Sequence, residues 1–506
     1  MPDLNSRGPS VRLPLFAGSA AVLLVLAFST RYGLFRDELY YLACARRLAW
    51  GYVDHPPFSI ALLKLFGEHL FMIKVPAALA FGAAVFLAGR QAGVLGAGTW
   101  GTLVTVLATT LCPLLVAIAG LYSMNVLEIA WWAGATAISA RLLITPTPAR
   151  WAALGLLIGL GTLTKYSMLM FPAGLCLGML ASPSRRQFLT PGPWIGGLIA
   201  AAIAAPHFVW EARHGWPSLE FMHNATAIKM TAVAPLDFLR GQILVSNPVF
   251  ALVWLAGLAG LLAMRSLRPW RPHGVAFLFS TAVLMASGRS RASYLAPSYM
   301  LLLPAGGVVF ETWISERRRW MRRAVVGIGV LAGLATLPLA LPVLPVDALI
   351  RYQSALGFTP RAEEHSRLGP LPQFIADRFG WREMALAVER AYDALPEDER
   401  ARTYVFTRNY GEAAAVEYFA PRLRGRVLSG HNSYHLWFPQ GWSGSEVLVI
   451  GDSAADVRKA FADVQEVGRT GSSPWAMPYE RDLAILIGRG PLLDLPALHR
   501  AIKHYD

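Results

Sequence analysis

The sequence predicts a polytopic α-helical membrane protein with about eleven transmembrane helices, followed by a C-terminal extracytoplasmic α/β domain. Three observations carry this expectation. Hydrophobic residues make up 55% of the 506 and charged residues 15%, against roughly one quarter charged in soluble globular chains. Apolar stretches able to cross a bilayer, about 20 residues as a helix, recur up to residue 345 and then stop. Beyond that point charge density is ordinary and the segments are short and alternating. The chain therefore divides into a membrane domain, 1–344, whose first outer loop is 31–71, and an outer domain, 345–506.

The spans fall at 14–30, 72–90, 95–112, 124–141, 151–165, 168–181, 194–210, 243–263, 274–288, 295–313 and 324–343. The apolar run 113–121 extends or interrupts the third. The first stretch has no convincing small-residue cleavage site and reads as a retained span. Charge sets the orientation. With the N-terminus in the cytoplasm, Arg90, Arg141, Arg150, Arg185, Arg186, "MRSLRPWRP" (264–272) and "SERRRWMRR" (315–323) all fall inside, as the positive-inside rule requires. The odd number of spans puts the C-terminal domain outside, in the periplasm or extracellular space, and the protein in the inner (plasma) membrane. These arginine loops also account for the net charge of +14. No zinc-finger, RNA-binding or helix-turn-helix pattern accompanies it, so the expected partner is the lipid bilayer and not nucleic acid. Cys44, Cys112 and Cys176 are scattered and odd in number, giving no disulfide framework and no CxxC metal site.

The same topology leaves 31–71, the turns near 122–125 and 165–168, the segment 211–242 and "GRSRASY" (288–294) on the outer face. Those segments hold the unusual polar residues: Asp37, Glu38, Asp54, His55, Asn125, Glu128, Lys165, His207, Glu211, Lys229, Arg289 and Arg291. Cations there run against the positive-inside bias and call for a local reason such as a bound anion.

In "RDELYYLA" (36–43), neighbours on a helix point about 100° apart, so only one of Asp37 and Glu38 aims into a given site. Asp37 shares a face with Tyr40 and Tyr41. One reading makes it a general base for a hydroxyl nucleophile. The plainer one has both acids stabilising a helix start. In "GYVDHPPF" (51–58) the tandem prolines suit an extended approach and a helix first turn, setting Asp54 or His55 near free N–H groups that favour an anion, or making Asp54 an N-cap. Lys165 in "GLGTLTKYS" (159–167) ends a span as a snorkelling anchor or a phosphate partner. Arg289 and Arg291 enter a span from outside, and guanidinium groups suit phosphate oxygens. Asn125 and Glu128 in "YSMNVLE" stand at i, i+3, and a buried acid there needs a partner. His207 and Glu211, i, i+4 in "PHFVWEARHGWPS", are two metal-capable groups without a third among a belt of interface aromatics.

The outer domain opens with an amphipathic helix near 372–394. Strand "RTYVFT" (402–407), helix "EAAAVEYF", a strand, strand "EVLVIGD" (446–452), helix "SAADVRKAFA" and two more strands follow, an α/β pattern. "GDSAAD" lacks the GxGxxG fingerprint, so nucleotide binding is not expected there. "RNYGE" (408–412) and "SGHNSYHLW" (429–437) are strand-end loops rich in polar and aromatic groups, either ligand-binding or simple turns.

Taken together, "RDELYYLA", "GYVDHPPF", "GLGTLTKYS", "PHFVWEARHGWPS", "GRSRASYLAPSYMLLLPAG", "YGEAAAVEYF" and "SGHNSYHLW" resemble the bacterial dolichyl-phosphate-mannose-protein mannosyltransferase family of the GT-C superfamily, similar also to lipid A aminoarabinose transferases. The resemblance runs over nearly the whole chain and rests on the order and sidedness of motifs that are each loose alone. It implies a GT-C membrane glycosyltransferase that uses a polyprenyl-phosphate-linked sugar as donor. By it, Asp37 matches the catalytic acid position with Glu38 beside it, Asp54 and His55 match the pair ahead of the double proline, and Lys165 matches a donor-phosphate lysine. Arg291 is a further candidate for that phosphate, with Arg289, Tyr41, Asn125, Glu128 and His207 as substrate-binding candidates.

The expected chemistry transfers a hexosyl or pentosyl group from the donor to a hydroxyl of a protein, lipid or glycan acceptor, with inversion. Cations meet the leaving phosphate and Asp37 takes the proton. A donor with a single phosphate requires no metal clamp and no cofactor; metal dependence stays open. The rival expectation, a polytopic transporter or lipid flippase, calls for repeated halves and midplane polar sites, and the sequence has neither.

Overall fold

The computed structural model describes residues 10–362, 364–439, 442, 444–471 and 473–506. The chain forms two compact units, one of Met1–Arg31, Phe71–Val209 and Ala232–Pro345, the other of Tyr32–Leu70, Trp210–Thr231 and Val346–Asp506.

The first unit is helical. Among the described residues, Leu70–Val94, Pro191–Arg213 and Glu316–Ala340 are each long and apolar enough to cross a membrane, and the number rises to as many as seven when each bent pair counts as one span. The bends have local causes. Thr99–Leu111 and Pro113–Ala119 meet at 55° because Pro113 has no N–H to continue the ladder. Pro235–Val245 and Pro248–Ala263 meet at 113°, where Asn247 adopts φ 68° and its Oδ1 accepts the Val249 N–H at 2.9 Å. Pro113–Ala119 is thus a short helix of its own. Pro248–Ala263 packs on Leu303–Trp313 through Gly257 and Gly306, where an added Cβ would collide with the Leu302 and Val253 carbonyl oxygens. Small residues of this kind let helix backbones approach in lipid.

The second unit joins segments 32–70 and 210–231 to the C-terminal α/β domain. Its sheet comprises β1 (Tyr404–Thr407), β2 (Val427–Ser429), β3 (Glu446–Ile450), β4 (Phe461–Arg469) and β5 (Ala484–Pro491), in the order β2-β1-β3-β5-β4. β1 pairs in parallel with β2 and β3, and β5 runs antiparallel to β3 and β4. The amphipathic stretch expected near 372–394 forms Gln373–Ala376 and Trp381–Asp393, broken at Gly380, whose φ of 90° no helix accommodates. The helix expected over 453–462 is confined to Ala454–Val457, since Phe461 already opens β4 and is buried in the sheet core.

Segment 32–70 supplies helices Arg36–Arg46 and Phe58–Phe66. Arg36–Arg46 packs against Tyr410–Phe419, the helix after β1. Arg47 and Arg46 pair with the buried Glu417 at 2.6 and 3.3 Å, and Arg46 pairs with Glu68 at 2.8 Å. Val53 N–H donates to Ser433 Oγ at 3.1 Å, and Asn224 donates to the Tyr505 carbonyl at 2.9 Å. Segments 32–70 and 210–231 therefore pack with residues 346–506, which begin close to the boundary expected near 344. The reason is physical: the arginines of 32–70 find their counter-charges in the C-terminal domain.

Candidate active site

Arg36–Arg46 begins after Phe35, whose extended backbone (φ −78°, ψ 150°) turns the chain into the helix. The Phe35 N–H donates to Glu38 Oε2 at 2.9 Å, and Glu38 is completely buried. Glu38 thus caps the helix and is withdrawn from solvent. Asp37, one position earlier and about 100° round the helix, keeps 36% of its side chain exposed. The plainer reading of an acidic helix start holds for Glu38, and Asp37 is left available for chemistry.

Two groups hold Asp37. Tyr410, at the first position of the helix after β1, donates its hydroxyl to Asp37 Oδ1 at 2.9 Å. Arg36 Nε lies 3.5 Å from the same oxygen. Burial, and behind it Asp37 and Asp54, push the Tyr410 phenol far above its usual range, so it stays a donor. Arg36 in turn is 3.6 Å from the buried Asp377 and 5.4 Å from the Tyr410 ring. Burial works against the Arg36 charge, but Asp377, Tyr410 and Asp37 outweigh it and hold the guanidinium above its usual range. Asp377 is pushed up to about 6 by burial, with Arg36 opposing and the negative Asp37 adding to the rise.

Asp54 stands in the same unit. Its Oδ1 accepts the Tyr40 hydroxyl at 2.9 Å, and Tyr40 Oη accepts the Ser433 N–H at 3.2 Å. Burial raises the Asp54 pKa against the pull of His55 and Tyr40, and Asp37 pushes it the same way as burial. His55 is fully buried, with Nε2 3.9 Å from Asp54 Oδ1 and ring contacts to Tyr40, Tyr41 and Tyr52 at 5.9, 4.8 and 4.9 Å. His55 thus packs among three tyrosine rings beside Asp54. Tyr41 is likewise buried against it.

A cavity of about 370 Å³ adjoins Tyr410 and Arg36, and Lys229, Glu364, His431 and Asp506 are also in its wall. Burial, then Arg36, lower the Lys229 pKa. His431 is held well below the usual imidazole range, mainly by burial and next by His504.

The first unit carries the remaining candidates. Lys165 Nζ donates to Asn125 Oδ1 at 2.8 Å, lies 3.2 Å from Glu128 Oε2, and stands 5.1 Å from the Tyr294 ring centroid. Ser167 completes the set by donating to Glu128 Oε1 at 2.5 Å. Asn125, Glu128 and Lys165 are thus brought together, with Glu128 buried and partnered. His207 Nε2 meets the Tyr166 hydroxyl at 2.6 Å. Glu211, in the second unit, accepts the Ser218 hydroxyl at 2.7 Å. Each member of the suspected metal pair is engaged in its own hydrogen bond. Arg289 and Arg291 flank Ser290 ahead of the 3-10 stretch Ala292–Leu301 and are half-buried.

Sequence reasoning did not name Tyr410, Ser433, Arg36 or Asp377 as site residues. The first two lie in the strand-end loops "RNYGE" and "SGHNSYHLW", whose polar and aromatic composition was the available signal. Asp377 sits in an unremarkable stretch, and only burial against Arg36 distinguishes it.

The family model for dolichyl-phosphate-mannose-protein mannosyltransferases matches residues 54–210. No curated protein sequence matches the chain. Among solved structures, ArnT from Cupriavidus metallidurans in the apo state is similar with a TM-score of 0.62 at 14% identity, over 94% of this chain and 98% of that one. The same protein bound to undecaprenyl phosphate gives 0.61 at 13%, over 94% and 98%. The archaeal oligosaccharyltransferase AglB from Archaeoglobus fulgidus, in complex with an inhibitory peptide and a dolichol-phosphate, gives 0.51 at 12%, over 87% of this chain and 69% of that one. Residues 54–210 thus match the model of that family, and over nearly its whole length the chain shares the fold of these solved structures.

Proposed function

We propose that the chain is a membrane glycosyltransferase that moves a hexosyl or pentosyl group from a polyprenyl-phosphate donor to an acceptor hydroxyl. The observation that carries this reading is Asp37: a part-exposed carboxylate whose orientation is fixed by the Tyr410 hydroxyl and Arg36. Further support comes from relatives of the same fold that hold undecaprenyl phosphate or dolichol-phosphate. In the proposed step, Asp37 accepts the proton of the acceptor hydroxyl as its oxygen attacks the sugar C1. The bond from C1 to the phosphate oxygen breaks, and the electron pair leaves with the polyprenyl phosphate. A single displacement inverts the anomeric centre. Counter-charge for the phosphate is assigned to Lys165, with Arg291 and Arg289 as further candidates, on the family resemblance and on the affinity of guanidinium and ammonium groups for phosphate. The proposed acceptor is a protein, lipid or glycan hydroxyl. The proposed topology has about eleven spans, the N-terminus in the cytoplasm and residues 346–506 on the periplasmic side, since short-loop arginines then collect on one face.

The test is transfer from a labelled polyprenyl-phosphate sugar by purified Asp37→Asn. Loss of general-base catalysis lowers the rate by about 100-fold or more while the variant stays folded. Wild-type turnover by Asp37→Asn would remove Asp37 from the role of base.

A further inference from the structure

Residues 495–506 pack against the loop that follows β2, and imidazoles meet imidazoles across that contact. The segment is helix Leu495–Ala501 and the stretch 502–506. The His504 N–H donates to the Gly430 carbonyl and the Asn432 N–H to the His504 carbonyl, both at 3.1 Å, an isolated parallel bridge between His431 and His504. This pairing sets the two rings 4.4 Å apart. On the helix, His499 stacks on His435 with centroids 3.9 Å apart and planes 7° from parallel, and its Nε2–H donates to the His435 carbonyl at 3.0 Å. The other fastenings are few: the Asn224 amide donates to the Tyr505 carbonyl at 2.9 Å, and Lys503 pairs with Glu220 at 2.7 Å.

The geometry suits His431 and His435 only as neutral rings. A charged imidazole carries an N–H on both nitrogens. His431 already donates Nε2–H to the Asp506 main-chain oxygen at 2.9 Å, so a further proton goes to Nδ1. That nitrogen is buried and, among the described residues, has no hydrogen-bond partner, and the same holds for His435 Nδ1. Protonating either ring leaves a charged, buried donor without an acceptor.

The neighbouring charges act in the same direction. His435 is pushed down to about 4 by burial and then by His499, Lys503 and His504, all of them basic. Burial, His504, Lys229 and Arg36 lower His431, against the hydrogen bond to Asp506. The Tyr410 ring, 4.8 Å away, closes the other side of His431. The acids nearby are placed elsewhere. The Asp506 carboxylate lies 3.6 Å from His431 Nε2, not beside the nitrogen that gains the proton. Glu220 is held by Lys503, and Asp452 has His504 and Arg408 among the charges that act on it.

We propose that residues 495–506 are an acid-released strap: proton uptake by His431 and His435 lifts the segment off the loop after β2 and takes Asp506 out of the wall of the cavity beside Tyr410. Release removes His499, His504 and Tyr505 from His435, which returns towards the ordinary imidazole value of about 6.5. A ring held at about 4 when docked favours docking fully above about pH 6.5 and loses that contribution as pH falls towards 4. Between pH 7.5 and pH 5, His435 alone shifts the balance towards release by roughly 30-fold.

Hydrogen–deuterium exchange of the full-length chain in detergent tests this at pH 7.5 and pH 5, corrected for the pH dependence of intrinsic exchange. In the wild type, protection over 495–506 falls roughly 30-fold or more at the lower pH while β3 and β5 keep theirs. His435→Phe keeps a flat ring on His499 and takes no proton, so its fall is smaller by roughly 30-fold, and His435→Gln behaves alike. Equal wild-type protection at the two pH values, an unchanged pH dependence in both variants, or loss of protection in segment and sheet together would overturn the proposal.

Discussion

Tyr410 reaches Asp37 from 373 positions away and gives the carboxylate one defined donor. A hydrogen bond to a charged group contributes about 1.5–3 kcal/mol. Tyr410→Phe keeps the ring packing and removes the hydroxyl, so the expected result is a kcat lowered roughly 10- to 100-fold with KM nearly unchanged. Steady-state transfer kinetics check this; a change in KM alone would make Tyr410 a substrate contact. Asp377 predicts a pH effect. Its folded-state pKa of about 6 lies above the unfolded value of about 3.9, so the folded chain binds more protons in that window. Stability from this group therefore falls as pH rises from about 4 to about 6. Asp377→Asn removes the slope, and the melting temperature of the wild type relative to the variant declines across that window. A flat difference would mean that Asp377 does not titrate there.

Helix Arg36–Arg46 is held in place by charge as much as by packing. Glu417 is buried and serves both Arg46 and Arg47. Removing one partner of a buried pair costs about 3–5 kcal/mol; Arg46 keeps Glu68, so the loss of Glu417 falls mainly on Arg47. Glu417→Ala is therefore expected to lower the melting temperature of the full chain clearly, whereas Asp456→Ala on the exposed Ala454–Val457 turn leaves it within error. In the helical unit, Gly257→Leu has no room beside the Leu302 carbonyl and is expected to reduce the yield of folded protein, measured by fluorescence-detected gel filtration. The elements were legible in the sequence where periodicity or apolar length is strong, as in Leu70–Val94, Tyr410–Phe419 and Glu446–Ile450. They were not where one residue overrides a pattern: Gly380 breaks an otherwise continuous amphipathic stretch, and the burial of Phe461 in β4 cuts the helix in "SAADVRKAFA" short after Val457.

The chain's topology is testable by labelling. A cysteine at Ala455 is expected to react with an impermeant maleimide on intact spheroplasts, and one at Arg317 only after the membrane is opened; the reverse pattern would invert the proposed orientation. Cys44 and Cys112 are buried, and a Cys176→Ser background removes the remaining native signal. The candidate site was legible in part. Asp37 and Asp54 stood out as acids in an apolar chain, and Lys165 as a cation near Asn125 and Glu128. The division of labour between Asp37 and Glu38, and the burial of His55, were not, because adjacent residues differ only in which way a helix turns them. Tyr410, Ser433 and Glu417 lay hundreds of residues from their partners, and no local pattern encodes such pairings. Those same pairings govern how the protein can be recombined. Residues 346–506 carry the counter-charges and hydrogen-bond partners of 32–70 and 210–231, so the inherited cassette is discontinuous. A chimera that imports a foreign C-terminal domain alone would leave Arg46, Arg47 and Asp37 without Glu417 and Tyr410; one that imports all three stretches together would bring its own.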